Sequence, residues 1–300
     1  AVPVVLLLAH GETLLLMAGQ DPEVARRAGG FMDVILFALV PGVAAGVMRT
    51  AAAALGRPGW AFVVTALALG VSILANYALV FGNLGMPALG LTGSALASVA
   101  ATAAMALAYA VILVTDRKLR RYRLFGRWWV TEWPRYREIV RLGTPIMLAW
   151  MFEGALFGGA AILMGLIGVA EVAAHAVALN IAAIAFQLPF GLAQAATIRV
   201  GLAYGAGDRD WIALAGRVAL VLGIGVMGLT AALMWAFPKF FVSAYLDLAT
   251  PANAPVVVLA VKFLAVAAAF QLADGAQAVA AGVLRGIQDT RVPMLIALFG

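Results

Sequence analysis

Two carboxylic acids lie in the middle of long apolar segments, where an ionisable side chain is unexpected. Glu153 occurs in the string MFEGALF, and Asp274 occurs in the string QLADGAQ. An acid within the hydrocarbon part of a membrane costs about 2.5 to 3.5 kcal/mol on insertion scales, so the acids that remain there are candidates for function. Glu153 and Asp274 are therefore the first candidate functional residues.

The two acids are expected at the same depth. Glu153 follows Arg141 by 12 residues, and Asp274 precedes Arg285 by 11 residues. At about 1.5 Å of helical rise per residue, the carboxylates lie roughly 18 Å and 16.5 Å from one face of the membrane. Two carboxylates in one cavity have coupled protonation, and an entering cation releases or replaces the proton. The pattern predicts cation-coupled transport; the alternative is that each acid pairs with a polar neighbour and only fixes helix packing.

Other polar and aromatic side chains are candidates to line the same cavity. Gln187 precedes Arg199 by 12 residues, which gives it a similar depth, and Pro189 beside it is expected to kink the helix and free backbone carbonyls. The remaining cavity candidates are Phe270, Gln271, Gln277 and Asn180. In the first half of the chain, Asn76 and Asp33 either form a second polar pocket or lie at the outer interface.

Membrane-spanning helices are the elements that must position these residues. Of 300 residues, 65% are hydrophobic and 11% are charged, against about 25% charged in a globular protein. Apolar runs of about 18 or more residues predict helical crossings, and the lack of period-two alternation excludes a transmembrane barrel. The predicted crossings are 29–52, 60–82, 89–115, 144–168, 172–200, 211–237 and 254–284, with partial ones at 1–18 and from 293 onward. The predicted fold is an all-α membrane protein, a polytopic helical bundle.

A basic segment in the middle of the chain predicts the orientation. Residues 116–141 contain nine basic and three acidic residues, so the positive-inside rule makes this segment cytoplasmic. Together with Trp128, Trp129 and Trp133, the charges predict an amphipathic interfacial helix that joins two halves of the protein. A specific lipid-binding or regulatory role for the segment is the alternative.

Local signals predict one helix start and several close helix contacts. Thr144 followed by Pro145 predicts an N-cap and the first helical turn. Glycines four residues apart in apolar helices predict close helix packing. These pairs are Gly42 and Gly46, Gly154 and Gly158, Gly201 and Gly205, and Gly282 and Gly286.

Several classes of function are excluded or disfavoured by missing motifs. The chain has no Cys and only two isolated His residues, which excludes disulfides and leaves little for a zinc site. It also lacks a phosphate-binding Gly-rich loop and the His-Glu-x-x-His and Gly-x-Ser-x-Gly motifs. The sequence thus predicts a protein that is not an enzyme and needs no cofactor. Because the chain begins inside an apolar run without Met, we expect a fragment cut at both ends.

A set of short strings, most of them in the second half of the chain, carries a family resemblance. They are LGRP at 55–58, Asn76 with Tyr77, LGTP at 142–145, Glu153, AHA at 174–176, ALNI at 178–181, PFG at 189–191, GAGD at 205–208, Asp274 with Gly275 and Gln277, GVLRG at 282–286 and DTR at 289–291. Together they resemble the multidrug and toxic compound extrusion (MATE) family, specifically its NorM-like branch.

The resemblance implies an architecture and an activity. It implies twelve helices in two pseudo-repeated lobes, of which 1–115 is part of the N-terminal lobe, 116–142 is a cytoplasmic linker and 143–300 is part of the C-terminal lobe. It further implies a monomer in the bacterial cytoplasmic membrane that exports organic cations or drugs in exchange for Na⁺ or H⁺, with membrane lipids but no nucleic acid as partners. The sequence leaves the coupling ion and the substrate open.

The resemblance also assigns roles to individual residues. Glu153 and Asp274 match the acids that hold the coupling cation, and they would be metal ligands if that ion is Na⁺. Some relatives carry Tyr where this chain has Phe270, so one oxygen ligand is missing and a cation–π contact would substitute for it. Asn76 matches an Asn of an N-lobe site whose acidic partner lies outside the chain. Three alternatives are a flippase for lipid-linked precursors, a membrane-embedded transferase, and a channel or scaffold.

Overall fold

The chain divides into two compact helical units, Ala1–Val130 and Thr131–Gly300. In this computed structural model the described residues are 5, 8–17, 22–122, 124–126 and 132–299. In unit 1 the helices are α1 (Gly11–Met17), α2 (Pro22–Ile35), α3 (Leu39–Ala54), α4 (Gly59–Leu79) and α5 (Gly90–Thr115), with short 3₁₀ segments at Leu36–Ala38 and Arg120–Tyr122. Helices α2 and α3 follow each other through the first of these segments.

Unit 2 contains the longer helices. They are α6 (Trp133–Ile167), α7 (Val169–Ala206), α8 (Arg209–Ala236), the short α9 (Pro238–Ser243), α10 (Ala254–Gly286) and α11 (Arg291–Phe299). A 3₁₀ turn at Pro251–Asn253 precedes α10. Throughout the described ranges, every regular element is helical, as the sequence predicts.

Seven helical segments among the described residues are long and apolar enough to cross a membrane. They are Pro22–Ala54, Gly59–Leu79, Gly90–Thr115, Trp133–Ile167, Val169–Ala206, Arg209–Ala236 and Pro251–Gly286. Large apolar side chains cover their outer surfaces, among them Phe62 at 81% exposed and Leu166 at 80%. In water such a surface would be unstable, but in a bilayer the lipid tails solvate it. The prediction of an all-α, multi-pass membrane protein is confirmed.

The core of unit 1 forms where α3, α4 and α5 meet. Its fully buried side chains include Tyr109 and Val64, and Leu119 closes the cluster from the turn after α5. Polar contacts join the ends of two helices beside this core. The Trp60 indole N–H donates to Asp116 Oδ2 at 3.0 Å, and the Arg57 guanidinium lies 3.4 Å from the same oxygen. Because the Asp116 side chain is only 6% exposed, this contact fixes the start of α4 against the end of α5.

The substitution Asp116→Asn should destabilise the protein at neutral pH but less in acid. The Trp60 indole, the Lys118 backbone N–H and the Arg57 charge hold the pKa of Asp116 below its ordinary value of 3.8. Because the folded pKa lies below the unfolded one, the stabilisation is present above the unfolded pKa and is lost as pH falls through the folded pKa. Thermal unfolding in detergent, measured across that range, should show the difference from wild type shrinking as pH falls. The exposed Asp210→Asn is the control, and a pH-independent difference for Asp116→Asn would contradict this account.

Unit 2 is organised around very close packing of α7 and α10. A Cβ atom added at Gly282 would lie 2.5 Å from the Ala193 carbonyl oxygen, and one at Gly286 would lie 2.8 Å from Val200 Cβ. The Thr197 hydroxyl donates to the Gly282 carbonyl at 2.8 Å. The prediction of close packing at Gly282 and Gly286 is therefore confirmed.

The other glycine pairs behave differently. Added Cβ atoms at Gly154 and Gly158 would meet nothing within 4 Å among the described residues, so this pair does not mark a close contact there. An added Cβ atom at Gly201 would lie 3.5 Å from the Gly286 carbonyl oxygen, and one at Gly42 would lie 3.9 Å from Thr102, both ordinary contact distances. Among these four glycine pairs, only Gly282 and Gly286 both lie where an added Cβ atom would clash with a neighbouring helix of the described residues.

The start of α6 differs from the predicted one at Thr144. The helix begins at Trp133, so residues 133–142 of the predicted linker continue directly into the membrane-spanning helix. Thr144 is not an N-cap, because its hydroxyl donates to the Val140 carbonyl one turn earlier at 2.8 Å, and Pro145 lies inside the helix. A proline lacks only one backbone donor, which a long helix tolerates. Trp128 and Trp129 of the predicted interfacial helix lie outside the described residues.

Candidate functional site

The structure places the two predicted acids on facing helices of unit 2. Glu153 lies on α6 and Asp274 on α10, and both side chains are partly buried. The two carboxylates are close enough for the charge of Glu153 to act on Asp274. Their matched depth in the membrane and their role in cation coupling both stay predictions.

An aromatic pair closes one side of the two acids. Phe157, one turn after Glu153 on α6, meets Phe270, one turn before Asp274 on α10, with ring centroids 6.4 Å apart and nearly perpendicular planes. Residues four apart on a helix share a face, so the ring pair and the acid pair belong to the same seam between the helices. Phe270 stands where an oxygen ligand is expected from the resemblance, and its ring is engaged with Phe157.

Arg285, near the end of α10, is a further charged residue beside the acid pair, and it was not among the site residues predicted from the sequence. Its charge acts on Glu153. Arg285 lies 11 residues after Asp274, which is about three helical turns and returns to the same face of α10. That spacing was the signal in the sequence that would have identified Arg285 as part of the site.

A polar cavity of about 300 Å³ adjoins Arg285. Its walls come from α6, α7, the end of α10 and the following turn. The lining includes Trp150, Gln194, Thr197, Gln288 and Thr290 beside Arg285. Thr290 is 5% exposed, and Trp150 packs edge-on against Phe190 with ring centroids 5.8 Å apart.

The structure places two predicted cavity residues against α8. Gln187 lines a separate, largely apolar cavity of about 750 Å³ formed with α8 and α9. Gln271 is 3% exposed, and its amide donates to the Thr230 hydroxyl of α8 at 3.1 Å. Helix α7 continues through Pro189, which is itself fully buried. A contribution of Gln187 or Gln271 to the acid pair stays a prediction.

The other predicted polar residues have local partners or remain exposed. The amide of Asn180 is exposed and donates to Ala176 of its own helix at 2.8 Å, while Gln277 is partly buried on α10. In unit 1, the Asn76 amide donates to the Ser72 carbonyl of its own helix at 2.8 Å, and Asp33 is exposed on α2. The second polar pocket proposed for Asn76 and Asp33 therefore stays a prediction.

The donor set of the acid pair limits which ions it can hold. Within the described ranges, His, Cys, Asp and Glu side chains do not gather in groups of three or more. Structural zinc takes four nitrogen or sulfur ligands, whereas hard cations take oxygen ligands. Two carboxylates offer only oxygen ligands, which suit a proton or a hard cation rather than structural zinc.

Comparison with known proteins identifies the family. Residues 145–300 match the MatE family. A probable multidrug resistance protein NorM of Mesorhizobium japonicum is 46% identical over 300 residues, which cover all of this chain and 64% of that protein. The chain belongs to the MATE family, in its NorM-like branch. The multidrug resistance protein NorM of Burkholderia vietnamiensis is 37% identical over 301 residues, again covering 64% of its length.

A solved structure supports the MATE fold. A crystal structure described as MATE in the bent conformation matches 99% of this chain and 63% of its own with a TM-score of 0.80. At 18% sequence identity this likeness concerns the fold alone. The predicted MATE-like helical bundle is confirmed, and the chain spans about 64% of the length of the NorM relatives.

Proposed function

We propose that this MATE chain is part of a secondary active transporter that exports organic cations or drugs in exchange for Na⁺ or H⁺ by alternating access. The observation that carries the proposal is the pair of partly buried carboxylates, Glu153 on α6 and Asp274 on α10, one turn from the Phe157–Phe270 ring contact that joins these two helices. Two NorM relatives bear names that refer to multidrug resistance, which supports an organic small molecule as substrate.

Exchange follows from the electrostatics of the pair. Two carboxylates held close together in a medium of low polarity repel each other, so a proton, Na⁺ or an organic cation that binds there relieves the repulsion. Because each cation satisfies the same charges, the coupling ion and the substrate compete for the site. Binding that differs between two conformations shifts the population towards one of them. An inward ion gradient can therefore drive export.

The rest of the proposed setting follows the membrane topology. The protein resides in the bacterial cytoplasmic membrane with the basic linker 116–142 on the cytoplasmic side, and it works as a monomer among lipids. The coupling ion is transported and is not a resident cofactor, and no other cofactor takes part. The protein has no enzymatic reaction of its own in this proposal. The two units correspond to the partial N-terminal and C-terminal lobes.

Efflux from proteoliposomes tests the proposal on the full-length parent protein. A fluorescent organic cation is loaded, and Na⁺ and H⁺ gradients are imposed separately. We expect efflux to accelerate under one of the gradients, and that gradient identifies the coupling ion. Efflux that does not depend on either gradient would contradict antiport and favour a flippase for lipid-linked precursors. Translocation of a fluorescent lipid in the same vesicles would then test the flippase activity.

A further inference from the structure

The polar cavity beside Arg285 lies directly next to the acid pair. Ile146, Trp150 and Glu153 share one face of α6, since they are spaced by four and three residues. Ile146 and Trp150 line the cavity together with Arg285. Glu153 thus follows the cavity wall by about one helical turn on the same face of α6.

The guanidinium of Arg285 has an unusual environment for a charged group. Its Nε atom is buried and has no hydrogen-bond partner among the described residues. The polar residues around it, Gln194, Thr197, Gln288 and Thr290, are all neutral. The charge of Glu153 acts on it directly. Arg285 as a whole is partly buried, and a buried polar atom without a partner is costly, so the attraction of Glu153 from α6 helps to stabilise this side chain.

We propose that Arg285 is an internal counter-ion for Glu153, which compensates the acid when the coupling cation has left and so sets the affinity of the site. This inference rests on the proposed antiport function. An arriving cation must compete with the guanidinium for the same carboxylate. Arg285 therefore weakens cation binding and speeds cation release, and the cavity gives its side chain room to withdraw.

The inference predicts opposite effects for removing and adding positive charge in the cavity. Arg285→Gln removes the competitor, so the cation concentration for half-maximal efflux should fall about fivefold or more, and the maximal rate should fall because release is slower. Arg285→Lys keeps the charge and should stay close to wild type. Gln194 is an exposed residue in the wall of the same cavity, and Gln194→Lys should raise the half-maximal concentration by a similar factor.

These variants are compared in the full-length parent protein by cation-dependent efflux from proteoliposomes. The matched control is Arg291→Gln, since Arg291 is exposed at the start of α11 and outside the cavity lining. Folded Arg285→Gln protein with an unchanged half-maximal concentration would overturn the inference. If that variant does not fold, an unchanged value for Gln194→Lys would overturn it instead.

A further variant separates failure of this inference from failure of the proposed function. If Glu153→Gln still exports substrate in response to the gradient, the antiport function assigned to the acid pair fails, and the role of Arg285 fails with it. If Glu153→Gln loses gradient-driven export while Arg285→Gln and Gln194→Lys leave the half-maximal concentration unchanged, only the counter-ion role is wrong.

Discussion

Glu153→Gln and Asp274→Asn should each reduce gradient-driven export by about 100-fold or more. In the cation-bound state each acid is a buried charge partner of the ion, and truncating one partner of such a pair typically costs about 2 to 5 kcal/mol, where every 1.4 kcal/mol is about tenfold in an equilibrium constant. Both amides keep the size of the acid but lose the charge that attracts the coupling ion. Initial rates of efflux from proteoliposomes, at equal amounts of folded protein, measure the loss.

The double variant sharpens this expectation. If both acids hold one ion, the double variant Glu153→Gln/Asp274→Asn should export only slightly more slowly than either single variant. The reason is that the effects of substitutions at residues that act as a unit do not add. The controls are Glu171→Gln at the start of α7 and Asp210→Asn at the start of α8, which change the same atoms away from the seam. Export that survives both single substitutions would reduce Glu153 and Asp274 to packing residues.

Gly282→Ala should sharply destabilise unit 2. The new Cβ atom would lie 2.5 Å from the Ala193 carbonyl oxygen and 2.8 Å from its Cα atom, and neither backbone atom can move without separating α7 from α10. Overpacking of this kind costs about 1 to 3 kcal/mol and sometimes more. The separation would also weaken the Thr197 hydrogen bond to the Gly282 carbonyl. We expect a markedly lower thermal midpoint in detergent and a poor yield of monodisperse protein.

Gly158→Ala is the matched control for this substitution. Gly158 also lies within a membrane-spanning helix, but an added Cβ atom there would meet nothing within 4 Å among the described residues. Alanine is favoured over glycine in a helix by about 1 kcal/mol, so this variant should be as stable as wild type or more so. Equal midpoints for Gly282→Ala and Gly158→Ala would show that α7 and α10 are not in close contact.

The membrane-spanning helices could be predicted from the sequence because their cause is local. A continuous apolar run must satisfy its backbone hydrogen bonds internally, which leaves a helix as the solution. The crossing predicted for 89–115 matches α5 at Gly90–Thr115. The start of α6 at Trp133 could not be found this way, because the charged first turns there are helical without being apolar.

The acid pair was predictable, but its surroundings were less so. Glu153 and Asp274 stand out because each is an isolated charge in an apolar string, and a count of residues gives their depth. Which way Gln187 points depends on the packing of α7 against α8, which a residue count does not contain. Arg285 was missed because its position near a helix end suggested the interface, although its helical phase matches Asp274.

Close glycine contacts show the same limit. The pairs at Gly154 and Gly282 have the same spacing, yet only Gly282 meets a neighbouring backbone. The four-residue spacing predicts a helix face of small residues. Whether another helix packs against that face depends on the three-dimensional arrangement.

The helices of unit 2 pack unequally, and the two acids lie on parts of the unit that differ in how closely they pack. Helices α7, α8 and α10 contact each other extensively, whereas α6 packs more sparsely against α7 and α11. Asp274 thus belongs to a closely packed three-helix block, and Glu153 belongs to a helix that packs less closely against it. An ion that binds both carboxylates would link α6 to the three-helix block. Binding of an ion at the site and close attachment of α6 to α7, α8 and α10 would then occur together.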